Sequence, residues 1–247
     1  MAVTLTVLGA GDAFASKGYF QASYLLDAGE KRVLLDAGPT VLAALKRARL
    51  PTNSIDLVLI SHLHGDHFAG LPFLILEYLY ENPLKRRLTI AGPPQLAERT
   101  WTLFRNCYPE TDPSSVRNQI DFVVLPAAGQ VTLAGVGVRT VRTPHMVNEL
   151  SLAFRIRLGG RTVVFSGDSG WTDELIELSA GSDLFLCECT YFESTHLRFH
   201  INYPELWNNH GRLTTRRLLM THVGREVLEH AAEVKLEMAY DLMAIEV

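Results

Sequence analysis

Within six residues, His62-Leu63-His64-Gly65-Asp66-His67 places three imidazoles and a carboxylate at the end of an apolar run, Ile55-Asp56-Leu57-Val58-Leu59-Ile60-Ser61. An ordinary core has no use for that cluster, because buried polar groups cost free energy unless each finds a partner. Neutral imidazole suits zinc and other borderline divalent metals, and a carboxylate adds a hard oxygen ligand. The pattern therefore points to metal binding where a buried strand runs out into a loop. Ligand positions i, i+2, i+4 and i+5 suit an irregular loop that turns successive side chains toward one point, and Gly65 lets it fold tightly.

The 247-residue chain, 47% hydrophobic and 20% charged, has the composition of one globular domain spanning 1–247. No apolar run approaches the roughly 18 residues that a membrane span needs, so no membrane partner is expected. Met1 through Leu8 lacks a basic lead and reads as a first strand, not a signal peptide. Three cysteines, Cys107, Cys187 and Cys189, do not suggest a disulfide framework and fit a reducing cytoplasm. Cys187 and Cys189 are expected to alternate along a strand, one thiol toward the core and one away. Plain burial is favoured there over a further metal site. A net charge of −4 gives no global excess for gripping nucleic acid. The local basic runs, Lys85-Arg86-Arg87 and Arg212 through Arg217, read as solvated turns or sheet edges.

Alternation and turn signals predict strands at 3–8, 21–27, 31–36, 56–60, 88–91 and 120–125. Further strands are expected at 131–133, 136–143, 151–157, 161–166, 183–188 and 216–220. Helical spacing marks 39–47, 67–80, 94–106, 172–179 and 203–210, with a last amphipathic stretch at 224–231. The 67–80 segment is apolar almost all round, so it should bury more than one face, in the core and in a homodimer contact through Phe73, Leu76 and Leu79. Two β-rich halves with helices attached suggest two sheets packed face to face with helices outside.

The His-x-His-x-Asp-His pattern resembles that of the metallo-β-lactamase superfamily, and further landmarks follow in that family's order. Leu34-Leu35-Asp36-Ala37-Gly38 looks like its strand-end Asp-x-Gly. Thr143-Pro144-His145, Phe165-Ser166-Gly167-Asp168 and Thr221-His222 look like its later ligand segments. Histidine at 222 with an Asp168-type bridge is most similar to the ribonuclease Z-like phosphodiesterase branch. The resemblance implies a four-layer αββα sandwich and a binuclear site. His62, His64 and His145 would hold one metal, and Asp66, His67 and His222 the other, with Asp168 bridging. Two Zn2+ per chain are expected, with Mn2+ or Fe2+ as alternatives. Asp36 and Ser61 are expected to orient ligand imidazoles. Asp12 is either a similar support or a turn cap.

Such a centre implies hydrolysis by a metal-bridging hydroxide, so no serine or cysteine nucleophile is required. Asp66 and His200 are the candidate catalytic residues. His200, in Phe199-His200-Ile201, matches the position of a phosphate-contacting histidine in the ribonuclease Z-like enzymes, with His196 and His210 as competitors. Glu188, in Cys187-Glu188-Cys189-Thr190, resembles the ribonuclease Z His-Glu-Ala-Thr segment and would partner His200. The leading expectation is a cytoplasmic phosphodiesterase acting on a small-molecule phosphodiester. The alternatives are a tRNA 3′-end endoribonuclease, an ester, lactone or thioester hydrolase on the same centre, and a non-catalytic domain. Between His145 and Asp168 lie two strands and the Gly159-Gly160 turn, where ribonuclease Z enzymes with a tRNA-binding arm insert it. That interval and the negative charge weigh against tRNA.

Overall fold

The computed structural model describes residues 2–247. The first sheet contains β1 (Thr4–Gly9), β2 (Ser23–Asp27), β3 (Arg32–Leu35), β4 (Leu57–Leu59), β5 (Leu88–Gly92) and β6 (Ile120–Val124). The second contains β7 (Ala128–Leu133), β8 (Val136–Arg142), β9 (Leu152–Leu158), β10 (Arg161–Phe165), β11 (Leu184–Glu188) and β12 (Leu218–Thr221). A last strand, β13 (Ala244–Glu246), returns to pair with the outer edge of β1. The orders are β13-β1-β2-β3-β4-β5-β6 and β12-β11-β10-β9-β8-β7.

Period-two alternation builds the layers, because successive side chains on a strand leave by opposite faces. Leu57 and Leu59 of β4, Val33 and Leu35 of β3, Val163 and Phe165 of β10, and Leu184 and Leu186 of β11 meet between the sheets. The intervening Leu34 and Val58 face a second core under α1 (Val41–Arg47), α3 (Leu71–Tyr80) and α4 (Leu96–Cys107). Val164, Phe185 and Met220 face a third under α6 (Glu174–Ser179), α7 (Tyr203–Asn209) and α8 (Arg225–Glu229). The short helices α2 (Gly65–Phe68) and α5 (Ser114–Arg117) complete the set. Helices cover both outer faces, which gives the four-layer αββα sandwich. No helix among the described residues is long and apolar enough to cross a membrane.

Three expectations change. The single helix expected at 67–80 is two, α2 and α3, divided at Ala69-Gly70. Gly70 packs against the Gly38 and Ala37 carbonyls so closely that a Cβ would lie 2.2 Å from the first. Nor is α3 buried all round. Leu71, Leu74, Ile75 and Tyr78 enter the outer core, and Glu77 is buried in an ion pair with Lys46 at 2.7 Å, while Phe73 and Tyr80 face solvent. Cys187 and Cys189 do not part company: both are buried in the third core, since residues i and i+2 share a face. Neither belongs to a group of side chains able to hold a metal among the described residues.

Candidate metal centre

The site lies where strands of both sheets end. Parallel pairing of β3 with β4 brings the loops after Leu35 and Leu59 side by side, delivering Asp36 and the His62–His67 segment. Parallel pairing of β10, β11 and β12 does the same for Asp168, Glu188 and His222. His145 comes from the loop between β8 and β9. Ligands in open α/β sheets gather at such carboxyl ends of strands.

Two groups of side chains converge. His62, His64, His145 and Asp168 form one, and Asp66, His67, Asp168 and His222 the other, the ligand atoms of each lying within 4.8 Å of one another. Asp168 belongs to both. The structure thus gathers all seven sequence candidates around one centre.

Hydrogen bonds on the outer side fix the rings. Asp36, fully buried, accepts from the Ser61 amide (2.7 Å), the Ser61 hydroxyl (2.7 Å) and His67 Nδ1 (2.6 Å). Because the Ser61 hydroxyl gives its proton to Asp36, it can only accept from His62 Nδ1, 3.1 Å away. His145 Nδ1 donates to the Phe199 carbonyl at 2.8 Å. The Thr190 hydroxyl donates to Glu188 at 2.9 Å and lies 3.0 Å from His222 Nδ1, which then donates to it. Four rings therefore commit Nδ1 outward and turn Nε2 inward. His64 is reversed, its Nδ1 lying 3.0 Å from His145 Nε2.

These inward atoms fit a cation. His62 Nε2 and Asp168 Oδ1 are buried without a hydrogen-bond partner, a rare state that calls for an explanation. His67 Nε2 and His222 Nε2 stand 3.3 Å apart, near the edge of a tetrahedron with ~2.0–2.1 Å bonds to a shared ion. Burial lowers the pKa of His67, but the carboxylates of Asp168, Asp66 and Asp36 outweigh it and hold it well above the usual value. Burial likewise opposes a proton on His222, and Asp168 and Asp66 raise its pKa. Both rings are thus pressed toward positive charge, yet two protonated Nε2 atoms at 3.3 Å would meet head-on. A metal cation removes that conflict. Burial and the neighbouring His67 hold His62 well below the usual value, leaving it neutral. Burial works to raise Asp168, but His222, His67 and His62 hold it well below the carboxylate range.

Backbone shape is part of the construction. Gly167 has φ +56, and a Cβ there would lie 2.7 Å from the Leu152 carbonyl oxygen and 2.8 Å from Ser61 Cβ. Asp36 (φ 53) and His222 (φ 51) adopt the same left-handed region without being glycine, a cost typical of functional positions.

Beside the two groups stands a third, Glu188 with His200 and His222. His200 Nδ1 lies 2.8 Å from Glu188 Oε1 and 3.9 Å from Asp168 Oδ2. Burial disfavours charge on this ring, but Glu188 and then Asp168 push its pKa up to about 9. It stacks on His222 and meets His145 edge-on, with centroids 5.5 and 4.8 Å away. The competing histidines lie elsewhere: His196 is exposed, and His210 stacks on Trp207 and bonds its carbonyl. Asp12 is a turn cap, accepting from the Phe14 and Ser16 amides and the Ser16 hydroxyl. Thr190 had no assigned role in the sequence. Its hydroxyl reaches Glu188, His222 and His200 (3.3 Å), tying the third group to the second. Only its place two residues after Glu188 hinted at this.

A family model for the anti-Pycsar protein Apyc1 matches residues 3–240. The chain belongs to the Apyc1 family. Apyc1 of Paenibacillus sp. (strain J14) is 34% identical over 179 residues, 71% of this chain and 71% of that protein. Among solved structures, the metallo-β-lactamase fold protein YhfI from Bacillus subtilis superposes over 100% of both chains with TM-score 0.80 at 23% identity. The short form of human tRNase Z covers 98% of both with TM-score 0.77 at 22% identity. This member of the Apyc1 family therefore has the metallo-β-lactamase fold, and it carries the side-chain groups of a metallo-hydrolase.

Proposed function

We propose that this Apyc1-family chain is a binuclear zinc phosphodiesterase acting on a small phosphodiester, a cyclic nucleotide being the favoured substrate. The observation that carries the reading is His200, held cationic by Glu188 beside the two ligand groups. A fixed positive charge beyond the ligand centre suits a substrate that is already an anion and whose leaving group departs as an alkoxide. The relative's name, an anti-Pycsar protein, is consistent with a cyclic nucleotide.

His62, His64, His145 and Asp168 would hold one ion, and Asp66, His67, His222 and the shared Asp168 the other. When bound, the ions would polarise a phosphoryl oxygen and supply a nucleophile from water at neutral pH. The chain supplies the rest. Asp66 stays ionised, because His67 and His222 outweigh its burial, and the carboxylate oxygen it does not use as a ligand would accept the proton of the attacking water. His200 gives charge stabilisation or a proton to the departing oxygen. Glu188, whose Oε1 also accepts from the Ser169 amide at 2.7 Å, fixes the His200 ring.

The test compares purified, zinc-loaded protein on bis(p-nitrophenyl) phosphate and 3′,5′-cyclic nucleotides with a carboxylic ester and a lactone. Cleavage of the esters with the phosphodiesters untouched refutes the reading. The tRNA alternative is not favoured. Gly159 and Gly160, with φ +57 and +79, join β9 to β10 as a tight hairpin and leave no arm there.

We further propose a cytoplasmic homodimer through α3. Phe73, edge-on to Tyr108 at 6.4 Å, and Tyr80 present exposed aromatic surface on that helix.

A further inference from the structure

On the outer face of β8 and β9, apart from the ligand centre at the strand ends, three arginines line one cleft. Arg139 of β8 stands directly opposite Arg155 of β9 in the ladder, and Arg157 lies two residues on, on the same face. Their inward-facing neighbours, Val138 and Ile156, fill the core between the sheets. Gln130 of β7 faces Arg139 from the other side, and the position opposite Arg157 is Gly137, which carries no side chain. A Cβ added there would meet the Arg157 Cβ at 3.7 Å, an ordinary contact, so the space above Gly137 is open. The cleft that results has a volume of about 110 Å3. That gives room for a phosphate group, being several times the roughly 30 Å3 share of one liquid water.

Like charges directly opposite on paired strands repel, and the local carboxylate is already taken. Asp183 acts on Arg155, but it is shared between Arg161 at 3.1 Å and Arg216 at 3.4 Å and accepts from the Thr162 amide. Neither Arg139 nor Arg157 has an ion-pair partner among the described residues. Burial, then the charges of Arg157 and Arg139, push the Arg155 guanidinium below its usual value. Arg155 is nonetheless fixed in place. Its Nη1 donates to the carbonyls of Leu178 (2.6 Å) and Ala180 (3.0 Å) at the end of α6. Its Nε and Nη2 have no partner among the described residues, and paired guanidinium N–H groups are the donors that hold phosphate in a fork.

We propose that this arginine cluster is a binding site for a small anion carrying two or more phosphate groups, either inorganic pyrophosphate or a nucleoside diphosphate. It is separate from the ligand centre and does not depend on the phosphodiesterase reading. Arg139 and Arg155 face one phosphate across the ladder. Arg157 stands about 6.6–6.8 Å farther along β9 by the rise of a strand, which suits a second phosphate better than the first. An anion in the cleft removes the repulsion between the arginines, so it stabilises the sheet as it binds.

The experiment is titration calorimetry of the zinc-loaded protein with pyrophosphate, ADP and orthophosphate at constant ionic strength, with metal content checked after each titration. Arg139→Gln with Arg157→Gln should weaken pyrophosphate and ADP binding about tenfold or more. Zinc content and turnover of bis(p-nitrophenyl) phosphate should stay at the wild-type level. Anion bound at the ligand centre is common to both proteins, so the difference belongs to the arginines. Arg139→Lys with Arg157→Lys keeps the charge but loses the forked donors, and it should weaken binding too. Orthophosphate should bind more weakly than pyrophosphate. Equal binding of pyrophosphate and ADP assigns the site to free polyphosphate, and tighter binding of ADP assigns it to a nucleotide. Unchanged affinity in the Gln variant overturns the proposal, as does a Lys variant that binds like wild type or orthophosphate that binds as tightly as pyrophosphate. A single-stranded RNA that binds more tightly than ADP, gains affinity with length and loses it in the Gln variant also overturns it, making this face a nucleic-acid track.

Discussion

Asp36→Asn should weaken metal binding in both groups without unfolding the chain. In the wild type the carboxylate takes three hydrogen bonds, from the Ser61 amide, the Ser61 hydroxyl and His67 Nδ1. An amide of the same shape can keep the first through its oxygen, but it turns an NH2 toward the other two. His67 must then accept at Nδ1, which moves its proton to the inward Nε2. Ser61 must also accept from the amide, so its hydroxyl proton is free to go to His62 Nδ1, which shifts the His62 proton inward too. One change thus puts a proton on an inward nitrogen of each ligand group. Loss of an orienting partner typically costs 10–100-fold in metal affinity, or about 1.4–2.7 kcal/mol at each ion. Asparagine tolerates the left-handed region, so φ 53 at this position is no obstacle to folding. Competition with a fluorescent zinc chelator, beside a thermal melt of the metal-free protein, measures both halves. Unchanged affinity at both ions with an intact fold would refute the tautomer argument.

Other outcomes follow from the same geometry. His200→Ala should keep its metals by elemental analysis and lose roughly two to four orders of magnitude in turnover, more for alkoxide than for nitrophenolate leaving groups. Asp168→Ala should lose more metal than any single-group ligand variant, and two ions per chain with activity kept would sink its shared role. Glu226 is held at about 2, because the amides of residues 192–194 and the Ser194 hydroxyl outweigh its burial. Its folded pKa lies below the unfolded value, so its stabilisation is present above about pH 4.3 and fades as pH falls toward 2. The melting gap between wild type and Glu226→Gln should therefore close between pH 5 and pH 2. Phe73→Glu with Tyr80→Glu should give monomers by light scattering, and a wild type that is already monomeric refutes the α3 contact.

The layered fold and the seven side chains that gather at the candidate centre were legible because both rest on local signals. Nearly continuous apolar runs in β3, β4, β10 and β11 announce strands buried on both faces, and the candidate ligands cluster at strand ends with family spacing. What the sequence hid is long-range or depends on backbone detail. β13 is only three residues long, Ala244-Ile245-Glu246, too short for a periodic signal, and its pairing with β1 makes it a strand. The break before α3 depends on how closely Gly70 meets Gly38, a contact across the chain that helical periodicity cannot register. Thr190 carries no chemical signature, and its role exists only because β11 and β12 run parallel and bring it under His222.

The ligand groups draw on both sheets: His62 to His67 follow β4, whereas His145, Asp168 and His222 belong to the other half. Ions held there therefore act as cross-links, closing loops as long as the 155 residues between His67 and His222. Closing so long a loop costs only slowly growing chain entropy, and a tightly bound ion offsets it in the folded state alone. Metal supply then sets the melting temperature through mass action. A chelator would lower the melting temperature as well as stop turnover. In a metal-starved cell the unfilled chain would open more often and be cleaved more readily than the filled one.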